Sequence, residues 1–138
     1  MTQTSTAILY PGLQYRDADA GMKWLEEVLG CERREDHRDD EGNVVHAELD
    51  FRGAIVMVGS AGVGREPFRS LPAGGRLVYC ALDEVDSLYD RVREAGADIA
   101  VEITDTDYGS RDFTVRDPEG NLWSFGTYRP AEEPASAN

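Results

Sequence analysis

Two histidines and a group of carboxylates carry most of the chemistry this chain could offer. His37 and His46 flank a short stretch centred on Glu41 and Gly42, and a hairpin turning there would set the two imidazoles almost opposite each other. With Glu48 they would form a two-histidine, one-carboxylate set of the kind that holds a divalent transition metal. That outcome depends on register, because a slip of one residue sends one imidazole to the other face of the sheet. The residues favour a surface His37 and a hydrogen-bonded His46, with neither metal nor other cofactor. Nucleophilic catalysis has less support. Cys31 and Cys80 have no base partner fixed by the sequence, form no CxxC pair, and are accompanied by no GxSxG turn. Both read as reduced, structural thiols.

The frame around these groups is bounded by composition. A chain of 138 residues suffices for one compact domain that needs no disulfide or metal staple. Hydrophobic residues at 41% and charged residues at 30% exclude disorder for its body. The net charge of -13, from 27 acidic against 14 basic residues, repels phosphate backbones and anionic bilayers, so neither nucleic acid nor membrane is an expected partner. The same charge attracts cationic ligands and also serves plain solubility. No run is long enough to span a bilayer and the first residues lack an apolar signal core, so a cytoplasmic protein is expected.

The elements that must position the site repeat. Ile8 to Tyr15 is rich in β-formers, and Asp17 can cap a helix whose apolar face is Met22, Leu25, Val28 and Leu29, stopped by Gly30. Cys31 to Arg38, Val44 to Phe51 and Ala54 to Val58 then read as strands, with turns at residues 39–43 and at Arg52-Gly53. The same order returns: Gly75 to Leu82 as a strand, Asp83 as cap, Val85, Leu88, Val92 and Ala95 on a helix face, and Gly96 as the stop. Capping aspartates and terminal glycines are both offset by 66 residues. Ala97 to Thr104, Arg111 to Arg116 and Leu122 to Gly126 complete the second set, with Asp117-Pro118-Glu119-Gly120 as a tight turn. The expected fold is α+β, two βαβββ modules at residues 7–59 and 75–128 of one domain (1–128), with a spacer at 60–74 and a flexible tail at 129–138.

Alternation sorts the strands. Val45, Ala47, Leu49 and Phe51 should pack under a helix, which leaves His46, Glu48 and Asp50 on the opposite face. Phe113 and Val115 are likewise set against Asp112, Thr114 and Arg116. In the first strand Leu9, Leu13 and Tyr15 are helix-facing, and Tyr10, Gly12 and Gln14 face away. In the fifth, Val78, Cys80 and Leu82 oppose Leu77, Tyr79 and Ala81. Phe68 in the spacer fits either a lid or a satellite core contact, and Trp24 and Trp123 fit the core.

The segment from Tyr108 to Phe125, YGSRDFTVRDPEGNLWSF, resembles the C-terminal signature of the vicinal oxygen chelate superfamily, which includes the glyoxalases, the bleomycin-resistance proteins and dioxygenases. The likeness extends over about Ile8 to Tyr128 through the two modules. It implies cupped mixed sheets with helices outside, a ligand cavity between modules, and a homodimer. It also implies that metal-using members would carry ligands at positions equivalent to Tyr10, Met57, Leu77 and Ser124, none of which is an imidazole or carboxylate here. The expectation is therefore a metal-free protein that sequesters a small organic, cationic or aromatic ligand, as bleomycin-resistance proteins do. Its binding residues would be Tyr10, Met57, Phe68, Leu77, Tyr79 and Ser124 beside His46, Glu48, Asp50, Asp112 and Arg116. The alternative is a glyoxalase-like lyase or isomerase using a metal held by His46 and Glu48, and a third reading is a domain whose cavity has closed.

Overall fold

The computed structural model describes residues 6–130, so residues 131–138 of the expected tail lie outside the described residues. The chain divides into two compact units, one through Gly74 and one from Gly75. None of the helices described is long and apolar enough to cross a membrane.

In the first unit β1 (Gly12–Tyr15), α1 (Ala18–Glu27), β2 (Glu32–Arg38), β3 (Val44–Phe51) and β4 (Ala54–Ser60) follow one another. The sheet order is β1-β4-β3-β2, with β1 parallel to β4 and the other pairs antiparallel. Parallel pairing of β1 with β4 requires a long crossover, and α1 with the β2–β3 hairpin supplies it. Asp17 caps α1, its Oδ1 accepting the Ala20 N–H at 3.0 Å and filling one of the donors a helix start leaves open. The helix buries Ala18, Gly21, Met22 and Leu25 on the face of the sheet that carries Leu13, Tyr15, Ala47 and Leu49, all nearly or fully buried.

The first strand begins later than its composition suggests. Pro11 has no N–H to donate, though its carbonyl accepts the Met57 N–H at 2.9 Å, and the ladder starts at Gly12. Leu9, expected under the helix, is instead 92% exposed. A second departure lies in β3, where Val44 is buried and Val45 is half exposed. The register explains it: His37 pairs with His46 but Arg38 pairs with Val44. Two residues of β3 thus oppose one step of β2, a bulge that turns Val45 away from the helix. Trp24, expected in the core, is only half-buried.

Every residue of the edge strand β2 is exposed, and its sequence ERREDHR is wholly charged or imidazole, which discourages edge-to-edge pairing with other chains. Arg38 ties this strand to the helix, meeting Asp19 at 2.7 Å and Asp36 at 2.9 Å. Hydrogen bonds from Arg38 hold both carboxyls below the ordinary aspartate range. Groups so depressed stabilise the fold above their unfolded pKa, about 3.9, and lose that contribution as pH falls through the lower folded values. Arg38→Ala is thus expected to lower stability at neutral pH by about 0.5–1 kcal/mol, as for exposed pairs. Urea denaturation followed by circular dichroism should show the difference from the parent shrinking steadily below about pH 4 and weakening in high salt.

The second unit repeats the plan with β5 (Leu77–Ala81), α2 (Val85–Glu94), β6 (Asp98–Asp105), β7 (Arg111–Arg116) and β8 (Leu122–Gly126), ordered β5-β8-β7-β6. Val85, Leu88 and Val92 are the buried stripe of α2. Phe113 lies 5.4 Å from Phe125 and 5.1 Å from Tyr89, ring centre to ring centre, a compact aromatic core. Trp123 is buried at 3% exposure. Asp83 does not cap the helix. Glu84 holds that position without a side-chain capping bond, and Asp83 pairs with Arg129 at 3.4 Å. The helix therefore starts one residue later than the aspartate spacing suggests, because Ser87 Oγ donates to the Glu84 carbonyl instead of Asp83 accepting from the first turn.

The hairpin turn at Asp117 is held from its own side chain. Oδ1 accepts the N–H groups of Glu119 and Asn121, and Oδ2 accepts Asn121 Nδ2 and Trp123 Nε1, all between 3.0 and 3.1 Å. Gly120 takes a φ of 87°, in the left-handed region where a side chain would be strained. Asn121 Oδ1 in turn accepts the Arg76 N–H at 3.0 Å, fastening the start of β5 beside β8. The signature segment is thus, at this point, a folding device.

Candidate functional site

In the first unit the face of the sheet away from α1 bears Gly12 and Gln14 on β1, Met57 and Gly59 on β4, and His46 and Glu48 on β3. Strand alternation forces this, since Leu13, Tyr15, Ala47 and Val58 are buried on the other side. The glycines lower the floor, because neither presents a side chain. Over it runs the stretch between the last strand and Gly74, where a single turn of 3-10 helix, Phe68–Ser70, brings Phe68 and Leu71 to the rim.

Together these groups line an open cleft of 340 Å3. Gly12, Gln14, Met57 and Gly59 form its floor, Val45 and His46 one side, and Phe68 with Leu71 the other. Phe68 and Leu71 are 54% and 45% exposed, so the rim is apolar surface awaiting cover. His46 Nε2 and Glu48 Oε2 lie 2.8 Å apart, which orients the imidazole. His37 makes the same contact with Glu35 at 2.8 Å, and the two imidazoles stack at 6.4 Å between ring centres. Each ring nitrogen so used is turned to its own strand's glutamate.

Of the sequence-derived site residues, His46, Met57 and Phe68 line this cleft, and Glu48 stands behind His46. Tyr10 is half exposed before the start of β1 and does not line it. Asp50 is engaged elsewhere, meeting Arg34 at 2.8 Å and accepting the Gly53 N–H at 2.9 Å. Gln14, Val45 and Leu71 are cleft residues outside that set. Gln14 was readable from alternation in phase with Leu13 and Tyr15; Val45 was hidden by the bulge, and Leu71 lies in a stretch without periodicity.

The equivalent face of the second unit carries Leu77, Tyr79, Ser124, Asp112 and Arg116. Thr114 and Ser124 share a hydrogen bond at 2.7 Å. Arg116 is drawn to Asp98 on the edge strand at 3.2 Å. Tyr79 reaches across Gly126 to donate to the Tyr128 carbonyl, and a Cβ at Gly126 would lie 2.8 Å from both the Tyr79 hydroxyl and Asp112 Cβ. Burial pushes the Tyr79 hydroxyl pKa up, and the charge of Asp112 adds to it. Asp112 Oδ2 accepts only long bonds, 3.4 Å, from Tyr108 and Ser110 hydroxyls. Among the described residues no cation pairs with it, because its neighbour Arg111 points to the opposite face and is taken by Asp86 and Asp105.

Chemically the cleft offers shape, apolar walls, a carboxamide and an oriented imidazole. A transition metal does not fit the four equivalent positions: Met57 offers a thioether, Leu77 an alkyl group, Tyr10 a phenol and Ser124 a hydroxyl. A divalent ion needs several imidazole, carboxylate or thiolate donors. Nor do any three His, Cys, Asp or Glu side chains among the described residues converge as a metal cluster.

Comparison with known proteins agrees with this architecture. The family model described as Glyoxalase/Bleomycin resistance protein/Dioxygenase superfamily matches residues 7–125. The crystal structure of TioX from Micromonospora sp. ML1 is similar at 35% identity and a TM-score of 0.74, over 90% of this chain and all of that one. TnmS3, an antibiotic binding protein from Streptomyces sp. CB03234, shares the fold at 18% identity and a TM-score of 0.69, over 90% of this chain and 97% of that one. So does a lactoylglutathione lyase from Agrobacterium tumefaciens, at 20% identity and a TM-score of 0.68, over 89% and 94%. An uncharacterised protein of Mycobacterium bovis is 29% identical over 91 residues, which are 62% of this chain and 60% of that protein. The match thus spans less than two thirds of that curated relative.

Proposed function

The chain belongs to the Glyoxalase/Bleomycin resistance protein/Dioxygenase superfamily, and from that premise we propose that it is a binding protein which sequesters a small organic molecule without a metal. The observation that carries this reading is the cleft of the first unit: 340 Å3 lined mainly by apolar groups with two polar side chains, Gln14 and His46. Sites for small molecules have about this size, from about 300 Å3 upward, and this balance of apolar wall to placed polar groups. The fold it shares with the antibiotic binding protein TnmS3 accords with such a role. A lyase reading gains nothing from the residues at the four ligand-equivalent positions, so no catalytic step is assigned.

On the second unit, Asp112 beside Tyr79 and Tyr108, with no cationic partner among the described residues, supports a positively charged group among the ligands. Aromatic faces and a carboxylate together favour organic cations. The net charge of -13 acts in the same direction. The proposal includes a cytosolic homodimer; neither cysteine is in a disulfide, and Cys31 is buried, which accords with a reducing compartment.

Val45→Trp tests the cleft. Val45 is half exposed and lines the cleft wall, so an indole there fills the space without entering the core. A panel of planar aromatic compounds and organic cations, titrated by calorimetry in the presence of a chelator, is expected to yield binders that the variant weakens at least tenfold. The variant should melt within about 2 °C of the parent, as for an exposed substitution. Binding that vanishes with the chelator, or that the tryptophan leaves unchanged, would overturn the reading.

A further inference from the structure

Resting on that reading of the cleft, we infer that its occupant carries an amide or lactam edge, read by the carboxamide of Gln14. Gln14 is half-buried on the floor, and its carboxamide lies beside Gly59, with Oε1 and Nε2 at 3.5 and 3.7 Å from where a Cβ of that glycine would be. A side chain at that position would meet the carboxamide in ordinary van der Waals contact, so the two are close neighbours on the floor. The side chains that line the cleft around it are apolar, namely Val45, Met57, Phe68 and Leu71, apart from His46, whose Nε2 is taken by Glu48. No hydrogen bond joins the Gln14 carboxamide to any described residue, although it holds two donors and an acceptor with two lone pairs.

This contrasts with the other polar side chains on the same face. His46 is paired with Glu48, and Asp50 with Arg34 and the Gly53 N–H. Water can satisfy Gln14 while the cleft is open. Once Phe68 and Leu71 are covered by a ligand, that water is displaced, and a ligand lacking a partner for the carboxamide leaves it unsatisfied. A carboxamide presents a donor and an acceptor side by side, and the group that matches it in two parallel bonds is another amide with its N–H beside its C=O. A bare aromatic hydrocarbon or a tertiary amide cannot meet both. Apolar walls supply affinity for the ring, and Gln14 chooses which ring is kept.

Naphthalene carboxamide and its N,N-dimethyl analogue are the probes, titrated by NMR against the full chain, Gln14→Met and Val45→Trp. Methionine keeps the length and removes the hydrogen bonding. The parent is expected to prefer the primary amide by about tenfold, the worth of the one net hydrogen bond that the tertiary amide cannot make. That preference should fall to within about twofold in Gln14→Met, because the methionine removes both bonds. Gln14→Glu keeps the acceptor that meets the amide N–H and loses the donor to the C=O, so it should retain the preference while binding both probes more weakly, giving a second check if the methionine variant misfolds. Equal binding of both probes to the parent, with loss of both in Val45→Trp, overturns the role of Gln14 and leaves the cleft reading intact. Failure of both probes to bind the parent overturns the amide assignment. If the wider aromatic and cation panel also fails to bind, the cleft reading falls as well.

Discussion

Replacing Asp117 with alanine is expected to destabilise the protein by about 3–5 kcal/mol, the range for removing one partner from a buried charged network. Asp117 is 5% exposed, Asn121 fully buried and Trp123 3% exposed. Alanine would strand two backbone N–H groups, the Asn121 amide and the Trp123 indole N–H, and water has little access to replace the carboxylate. Asp117→Asn should be intermediate. Its oxygen can keep the Glu119 and Asn121 backbone bonds, but its NH2 would face two donors where Oδ2 now accepts. The same five-residue pattern occurs at Asp39, whose Oδ1 accepts the Glu41 and Asn43 N–H groups and whose Oδ2 accepts Asn43 Nδ2. That turn is only half-buried at Asp39 and Asn43 and lacks a tryptophan, so Asp39→Ala should be far milder. Urea unfolding monitored by circular dichroism gives the comparison. Equal losses at the two sites would show that the turn alone matters and that burial and the indole bond do not.

This pair of turns also marks how much could be read in the residues. The turn chemistry of D-x-E-G-N is local, and local signals were legible: the Asp17 cap, both helical stripes except Ala95, which is exposed past the end of its helix, and the strands Val44–Phe51, Arg111–Arg116 and Leu122–Gly126 match the residue patterns. What failed was non-local. Val44 and Val45 are the same residue type, so nothing in the alternation shows that a bulge against Arg38 exchanges their faces. Asp50 and Arg116 were assigned to the correct strands, but their partners Arg34 and Asp98 belong to edge strands whose register no apolar pattern fixes. Asp83 imitates Asp17 in sequence, and the helix chose the next residue as its boundary. For the cleft, alternation supplied Gln14, Met57 and His46. The rim formed by Phe68 and Leu71 came from chain that crosses a sheet without periodicity of its own.

Gly21→Ala should be destabilising by about 2–3 kcal/mol and should also weaken binding in the cleft, although alanine is the better helix former by about 1 kcal/mol. Gly21 lies within α1 directly over Tyr15. A Cβ there would sit 2.5, 2.7 and 2.8 Å from three carbons of the Tyr15 ring, well inside contact distance. The ring is completely buried, so it cannot swing into solvent, and the strain passes either to the helix or to β1. Two residues of β1 belong to the cleft floor, Gly12 and Gln14, and they alternate with Leu13 and Tyr15 on one short strand. Displacing Tyr15 therefore moves the carboxamide of Gln14. The expected Tm falls by about 5–10 °C, and ligands of the cleft should lose affinity even at temperatures where the variant is folded. Tyr15→Leu in the Gly21→Ala background removes the aromatic face, so the two changes together should be less harmful than the sum of each alone by about 1 kcal/mol or more. Strict additivity in that cycle would locate the strain elsewhere and detach Gly21 from the positioning of the cleft.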